Sequence, residues 1–150
     1  MLALTMEEPN VRIFMNRLLR EEIFDSLEVR SVEICAMTRV DISGELIGES
    51  EARAFAKWAQ IKPLVTTIIK NHQMPRQMKI IFSCDEETAA SIHDNASALF
   101  INMVYENGSI TITAATSQKQ FSMEKSLDEK WGEYVNFLFE SNGVPVKIKE

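Results

Sequence analysis

Apolar positions along this chain change period several times, and each change marks an element. Met1 to Thr5 reads as a short strand. Pro9 suits the first turn of a helix, where its missing N–H costs nothing. Val11, Phe14, Met15, Leu18 and Leu19 follow at the i, i+3, i+4, i+7, i+8 spacing of an amphipathic helix, with Arg12, Asn16, Arg17 and Arg20 on its polar side. From Glu28 to Ile42 the period becomes two. Val32, Ile34, Ala36, Thr38, Val40 and Ile42 share one parity, which predicts a half-buried antiparallel strand or two strands with a break near Met37. Ser43-Gly44 then turns the chain, and Leu46 to Ser50 is a loop or a short return strand.

Ala52, Phe55, Ala56, Trp58 and Ala59 predict a helix over Glu51 to Gln60. Pro63 predicts a break at Ile61-Lys62, with a second helix from Leu64 to Asn71. Met78, Ile80, Phe82 and Cys84 alternate as a strand, and Asp85-Glu86-Glu87 suits the N-terminus of a short helix. The sharpest local signal is Asn107-Gly108 between two alternating runs, which specifies a two-residue hairpin. That turn pairs Tyr105 with Ile110, Met103 with Ile112 and Ile101 with Ala114 on an apolar face, while Val104–Thr111, Asn102–Thr113 and Phe100–Ala115 form a mixed one. Phe121 and Met123 predict a third strand. Ser126 to Glu129 has capping-box spacing before a helix carrying Leu127, Trp131, Tyr134, Val135 and Leu138, ended by Asn142-Gly143. Val144 to Ile148 adds an edge strand. The fold class is therefore α+β, one domain with an antiparallel sheet packed by about four to five helices. Its order contains two strand-helix-strand-strand units, at 1–42 and 78–115.

Composition places the chain among ordinary globular proteins: 150 residues, 45% hydrophobic and 25% charged. Neither a membrane span nor a signal peptide is expected, and Cys35 and Cys84 make neither a disulfide framework nor a metal pair. A cytoplasmic protein without membrane contact is the expectation. The net charge of −6 is unevenly distributed. Between Ala52 and Cys84 there is no Asp or Glu, and Arg53, Lys57, Lys62, Lys70, Arg76 and Lys79 give +6. The remainder carries 10 basic against 22 acidic groups, or −12. A local positive field of this kind suits phosphate, carboxylate or an acidic protein surface, and Lys62, Lys70, His72, Arg76 and Lys79 are the candidate partner-binding residues.

Sequence motifs for chemistry are sparse. There is no glycine-rich phosphate loop, no zinc-binding helix, no Cys-x-x-Cys and no nucleophile elbow. Neither a metal nor a cofactor is implied. His93-Asp94 reads as a helix terminus, and Cys84 shares the apolar parity of its strand, so a buried structural thiol is expected there. The leading expectation is a non-enzymatic binding or assembly module, with homodimerisation open. An alternative is a small hydrolase or transferase using His93 or His72 with a neighbouring carboxylate.

Nearly the whole chain also resembles an uncharacterised domain family of unknown function from anaerobic Gram-positive bacteria. The resemblance rests on Phe14-Met15, Leu18-Leu19, Phe24-Asp25, Ile42-Ser43-Gly44, Trp58, Ile61-Lys62-Pro63, Ile69-Lys70, Pro75, Lys79 to Phe82, Leu99 to Asn102, Tyr105, Gly108, Thr116-Ser117, Phe121, Lys125 to Leu127 and Trp131. The chain departs from the family's Asp-Gly at Ser43-Gly44 and from its Thr-Gly at Ala114-Ala115. The family implies no activity. A looser resemblance, in element order alone, is to the domain of a DNA sliding clamp. Arg12, Arg17 and Arg20 would then face nucleic acid. Asp85, Glu86, Glu87 and Asp94 on the second unit's helix have the wrong sign for phosphate, so nucleic acid is not the favoured partner.

Overall fold

A computed structural model describes residues 1–48, 54–71 and 75–149. Its elements run β1 (Ala3–Glu7), α1 (Asn10–Arg20), β2 (Glu28–Cys35), β3 (Arg39–Ser43), α2 (Trp58–Asn71), β4 (Gln77–Ser83), α3 (Glu86–Ile92), β5 (Ala96–Glu106), β6 (Ser109–Gln118), α4 (Ser126–Ser141) and β7 (Lys147–Ile148). The seven strands form one antiparallel sheet in the order β3-β2-β4-β5-β6-β1-β7. The fold is α+β, and the two strand-helix-strand-strand units are present in order.

Alternation sorts the sheet into two unlike faces. Leu4 and Met6, Val32 and Ile34, Met78, Ile80 and Phe82, Leu99, Ile101 and Met103, and Ile110 and Ile112 are all buried on one face. Against them pack Phe14, Trp58, Trp131 and Phe139 from α1, α2 and α4, and Phe24 from the α1–β2 connection. Phe24 stacks on Phe82 at 5.6 Å, and Trp58 meets Phe82 edge-on at 5.4 Å. Each buried indole N–H has an acceptor: Trp58 donates to the Leu18 carbonyl and Trp131 to that of Phe100. The other face carries Ser31, Glu33, Lys79, Ile81, Asn102, Val104, Thr111 and Thr113 and has no described helix over it.

The hairpin forms as expected, with Asn107 and Gly108 at φ 53° and 77° and the anticipated register throughout. The break near Met37 separates β2 from β3, and Gly143 caps α4 at φ 67°. Several expectations are corrected. Within the span 51–60, the described residues Ala54 to Lys57 are extended. Ala56 accepts from the Val29 N–H and donates to the Gly44 carbonyl, so backbone pairing displaces helix until Trp58. Pro63 sits inside a continuous α2, because the buried stripe of Trp58, Ile61 and Val65 runs across it and tertiary packing offsets the lost bond. Leu64, the residue at which the second helix is expected to start, is exposed. Phe121 and Met123 lie in a loop after β6 rather than a strand. The capping box does not form: the N-cap of α4 is Lys125, without a side-chain bond, and the Ser126 hydroxyl meets His93 instead. Residues 49–53, 72–74 and 150, with parts of the expected segments Leu46 to Ser50 and Glu51 to Gln60, lie outside the described residues.

Candidate functional site

The helix-free face is shaped by an irregularity in β2. Val29 pairs with Phe82 and Ser31 with Ile81, so Arg30 is an extra residue, a bulge. Bulges re-aim side chains. Here Arg30 turns onto the helix-free face, where its Nε donates to the Ser83 hydroxyl at 3.0 Å. Its guanidinium carbon lies 3.9 Å from the centre of the Phe55 ring and 5.3 Å from that of Phe100. Both contacts are in cation–π range. Ser83 is the one fully buried polar side chain among the described residues, and this bond satisfies it. No described carboxylate pairs with Arg30, and its terminal nitrogens make no hydrogen bond among the described residues. A planar donor fork is thus held in place by two rings and a hydroxyl.

Glu28, Lys57 and Asp85 surround the same end of the sheet. Burial pushes the Glu28 carboxyl above its ordinary range, against the opposing pull of Lys57 and Arg30. Asp85 caps α3 by accepting the Thr88 N–H at 2.7 Å, and hydrogen bonding from Thr88 holds its carboxyl below the usual range. Burial raises the Cys84 thiol to about 11, with the Asp85 charge adding to the rise. That thiol is a structural group, as its parity predicted.

Of the five residues expected to bind a partner, the four described cations are distributed over separate surfaces. Lys62 donates to Asp25 at 2.7 Å and to the Glu21 carbonyl at 3.1 Å, tying α2 to the end of α1. Lys79 lies on the helix-free face beside Glu33, its cross-strand neighbour. Lys70 is exposed in the last turn of α2, and Arg76 is exposed just before β4, where its N–H bonds the Cys35 carbonyl. His72 lies outside the described residues. Arg30, which the alternating pattern hid, is the residue that the sequence reading missed. The spacing of Val29, Val32 and Ile34, three and then two, is the signal of a bulge that could have found it.

His93 borders a cleft of about 450 Å³ with Asn95, Gln118, Ser122 and Ser126. Its Nδ1 accepts the Asn95 N–H at 3.0 Å, and its Nε2 is 2.9 Å from the Ser126 hydroxyl. The neutral ring therefore carries its proton on Nε2 and donates it to Ser126. That is the wrong direction for a base that activates a serine. Asp94 is exposed and makes no bond to the ring. Among the described residues no three His, Cys, Asp or Glu side chains are grouped to hold a metal ion. No described helix is long and apolar enough to cross a membrane.

An antiparallel sheet with helices on one side and a bulge-mounted arginine on the other defines an α+β domain with an open sheet face. The chain belongs to a family of unknown function, DUF5721, whose profile matches residues 17–147. No curated protein and no solved structure matches it.

Proposed function

We propose that this protein is a non-enzymatic binding module that takes an acidic protein surface on its helix-free sheet face, with Arg30 as the anchor. The observation that carries the reading is the guanidinium held between Phe55 and Phe100 with no ion pair to a described carboxylate. A guanidinium fork matches a carboxylate bidentately, and one already immobilised loses little conformational entropy on binding. The surrounding face is a flat sheet surface bearing Ile81, Val104 and Phe100, which suits a protein partner better than a small ion. Lys79 adds charge on that face. Arg76 lies beside Cys35 at the other end of β2, about 15 Å from Arg30 at ~3.3 Å per residue, and Lys70 ends the helix that leads into that strand end. At that distance they steer an acidic partner rather than hold it. The free thiols Cys35 and Cys84 support a reducing compartment. Together with the resemblance carried by the sequence, this favours a bacterial cytoplasm.

Titration with a glutamate-rich peptide tests the reading. Arg30→Gln weakens binding about tenfold or more, and Arg30→Lys restores only part of it, because an ammonium keeps the charge without the fork. Lys70→Glu with Arg76→Glu lowers the association rate and its salt dependence while leaving the bound contacts in place. Equal affinity of wild type and Arg30→Gln overturns the proposal. So does binding of inorganic phosphate at Arg30 in preference to the peptide.

A further inference from the structure

The loop joining β6 to α4 is pinned by two reciprocal amide clamps. Asn95 donates its side-chain amide to the Gln120 carbonyl at 2.9 Å and accepts the Gln120 N–H at 3.0 Å. Gln118 does the same with Ser122, at 3.1 and 3.0 Å. The Lys119 N–H bonds the Asn95 carbonyl as well. These bonds use the amides that line the His93 cleft, so the cleft's polar groups build the loop. What the rigid loop presents outward is apolar: Phe121 is 89% exposed and Met123 87%. Two large side chains held in water on a preorganised backbone are the signature of an interaction site. Lys119 and Lys125 flank them.

Next to this plug lies a socket. A cavity of about 500 Å³ has Met1, Leu2 and Ile148 as its apolar lining and Asp128, Glu129 and Glu133 on its walls. Lys125, two residues beyond Met123, borders the same cavity. The plug is apolar and, with Lys119 and Lys125 against Glu124, carries a net positive charge; the socket is apolar, with Asp128, Glu129 and Glu133 outweighing Lys125 on its walls. Their net charges are opposite in sign. Because plug and socket adjoin on one molecule, a two-fold axis lets two copies exchange plugs reciprocally and closes the contact.

We infer that a second copy of this chain is the occupant, and that the protein forms a homodimer by reciprocal insertion of Phe121 and Met123 into the cavity lined by Leu2 and Ile148. This inference stands on residues remote in sequence from the Arg30 face and survives or fails apart from it.

Sedimentation equilibrium of the full chain, from nanomolar to high micromolar concentration, reads the result. Wild type shows a monomer–dimer equilibrium. Phe121→Ser with Met123→Ser loses the dimer while keeping the wild-type circular dichroism and melting curve, since both side chains are exposed. Glu133→Lys weakens the dimer about tenfold, and adding Lys125→Glu to it recovers most of the loss. A wild type that stays monomeric throughout the range overturns the inference. An unchanged dimer in the double serine variant also overturns it, and so does a plug that inserts only into neutral lipid vesicles.

Discussion

Arg30 costs the β2–β4 ladder one regular pair, and its side chain thereby leaves the alternation of its strand. With Nε committed to Ser83 and both ring faces of its neighbours against it, the terminal nitrogens are the part left to meet a ligand. The same end of the sheet depends on another single side chain. Asp85 closes the N-terminus of α3 through Thr88. Asp85→Ala lowers stability by about 1 kcal/mol at neutral pH in urea unfolding, and Asp85→Asn retains most of it. The folded carboxyl is held below its usual range, so this stabilisation is present above the ordinary Asp pKa and is lost as pH falls through the depressed folded value. The gap between wild type and the alanine variant therefore narrows in acid. A difference that persists unchanged at low pH counts against the cap.

At the scale of elements, what could be read in advance was whatever local chemistry decides. Asn107-Gly108 needs positive φ at both positions, so turn and register followed from two residues. Ala54 to Lys57 went the other way. Their apolar spacing fits a helix, but the free backbone groups of Val29, Gly44 and Leu46 recruit them into extended pairing, and those groups lie outside the segment's own stretch of sequence. The exposure of Phe121 and Met123 was illegible for a similar reason. Alternation predicts a strand, while the clamps that prevent it come from Asn95 and Gln118. Gly44 exposes the pairing to test. A Cβ placed there falls 1.7 Å from the Val29 carbonyl oxygen, whereas one at Gly48 meets nothing within 4 Å. Gly44→Ala destabilises by about 3 kcal/mol or more, or prevents folding, and Gly48→Ala is near neutral. Comparable melting temperatures for the two variants contradict the register at the start of β2.

For the whole molecule, the sheet divides two tasks between its faces. One face holds the aromatic cluster of Phe14, Phe24, Trp58, Phe82 and Phe139 beneath the helices. The other is left open. The acid-free stretch from Ala52 to Cys84 foretold a positive region, and in three dimensions its cations separate. Lys62 braces two helices, Lys79 stands beside Glu33 on the open face, and Lys70 and Arg76 occupy the α2–β4 end. Sequence charge counts could not make that separation, because strand parity and ion pairing decide it. Nor could they single out an arginine outside the stretch altogether. The central claim is that the open face binds through Arg30, and backbone amide mapping by NMR during titration with a glutamate-rich peptide tests it most directly. The account predicts that the largest shifts fall on Arg30, Ser31, Ser83 and Phe100 and vanish in Arg30→Gln. Shifts centred on the His93 cleft, or on Lys70 and Arg76 with Arg30 silent, would contradict it.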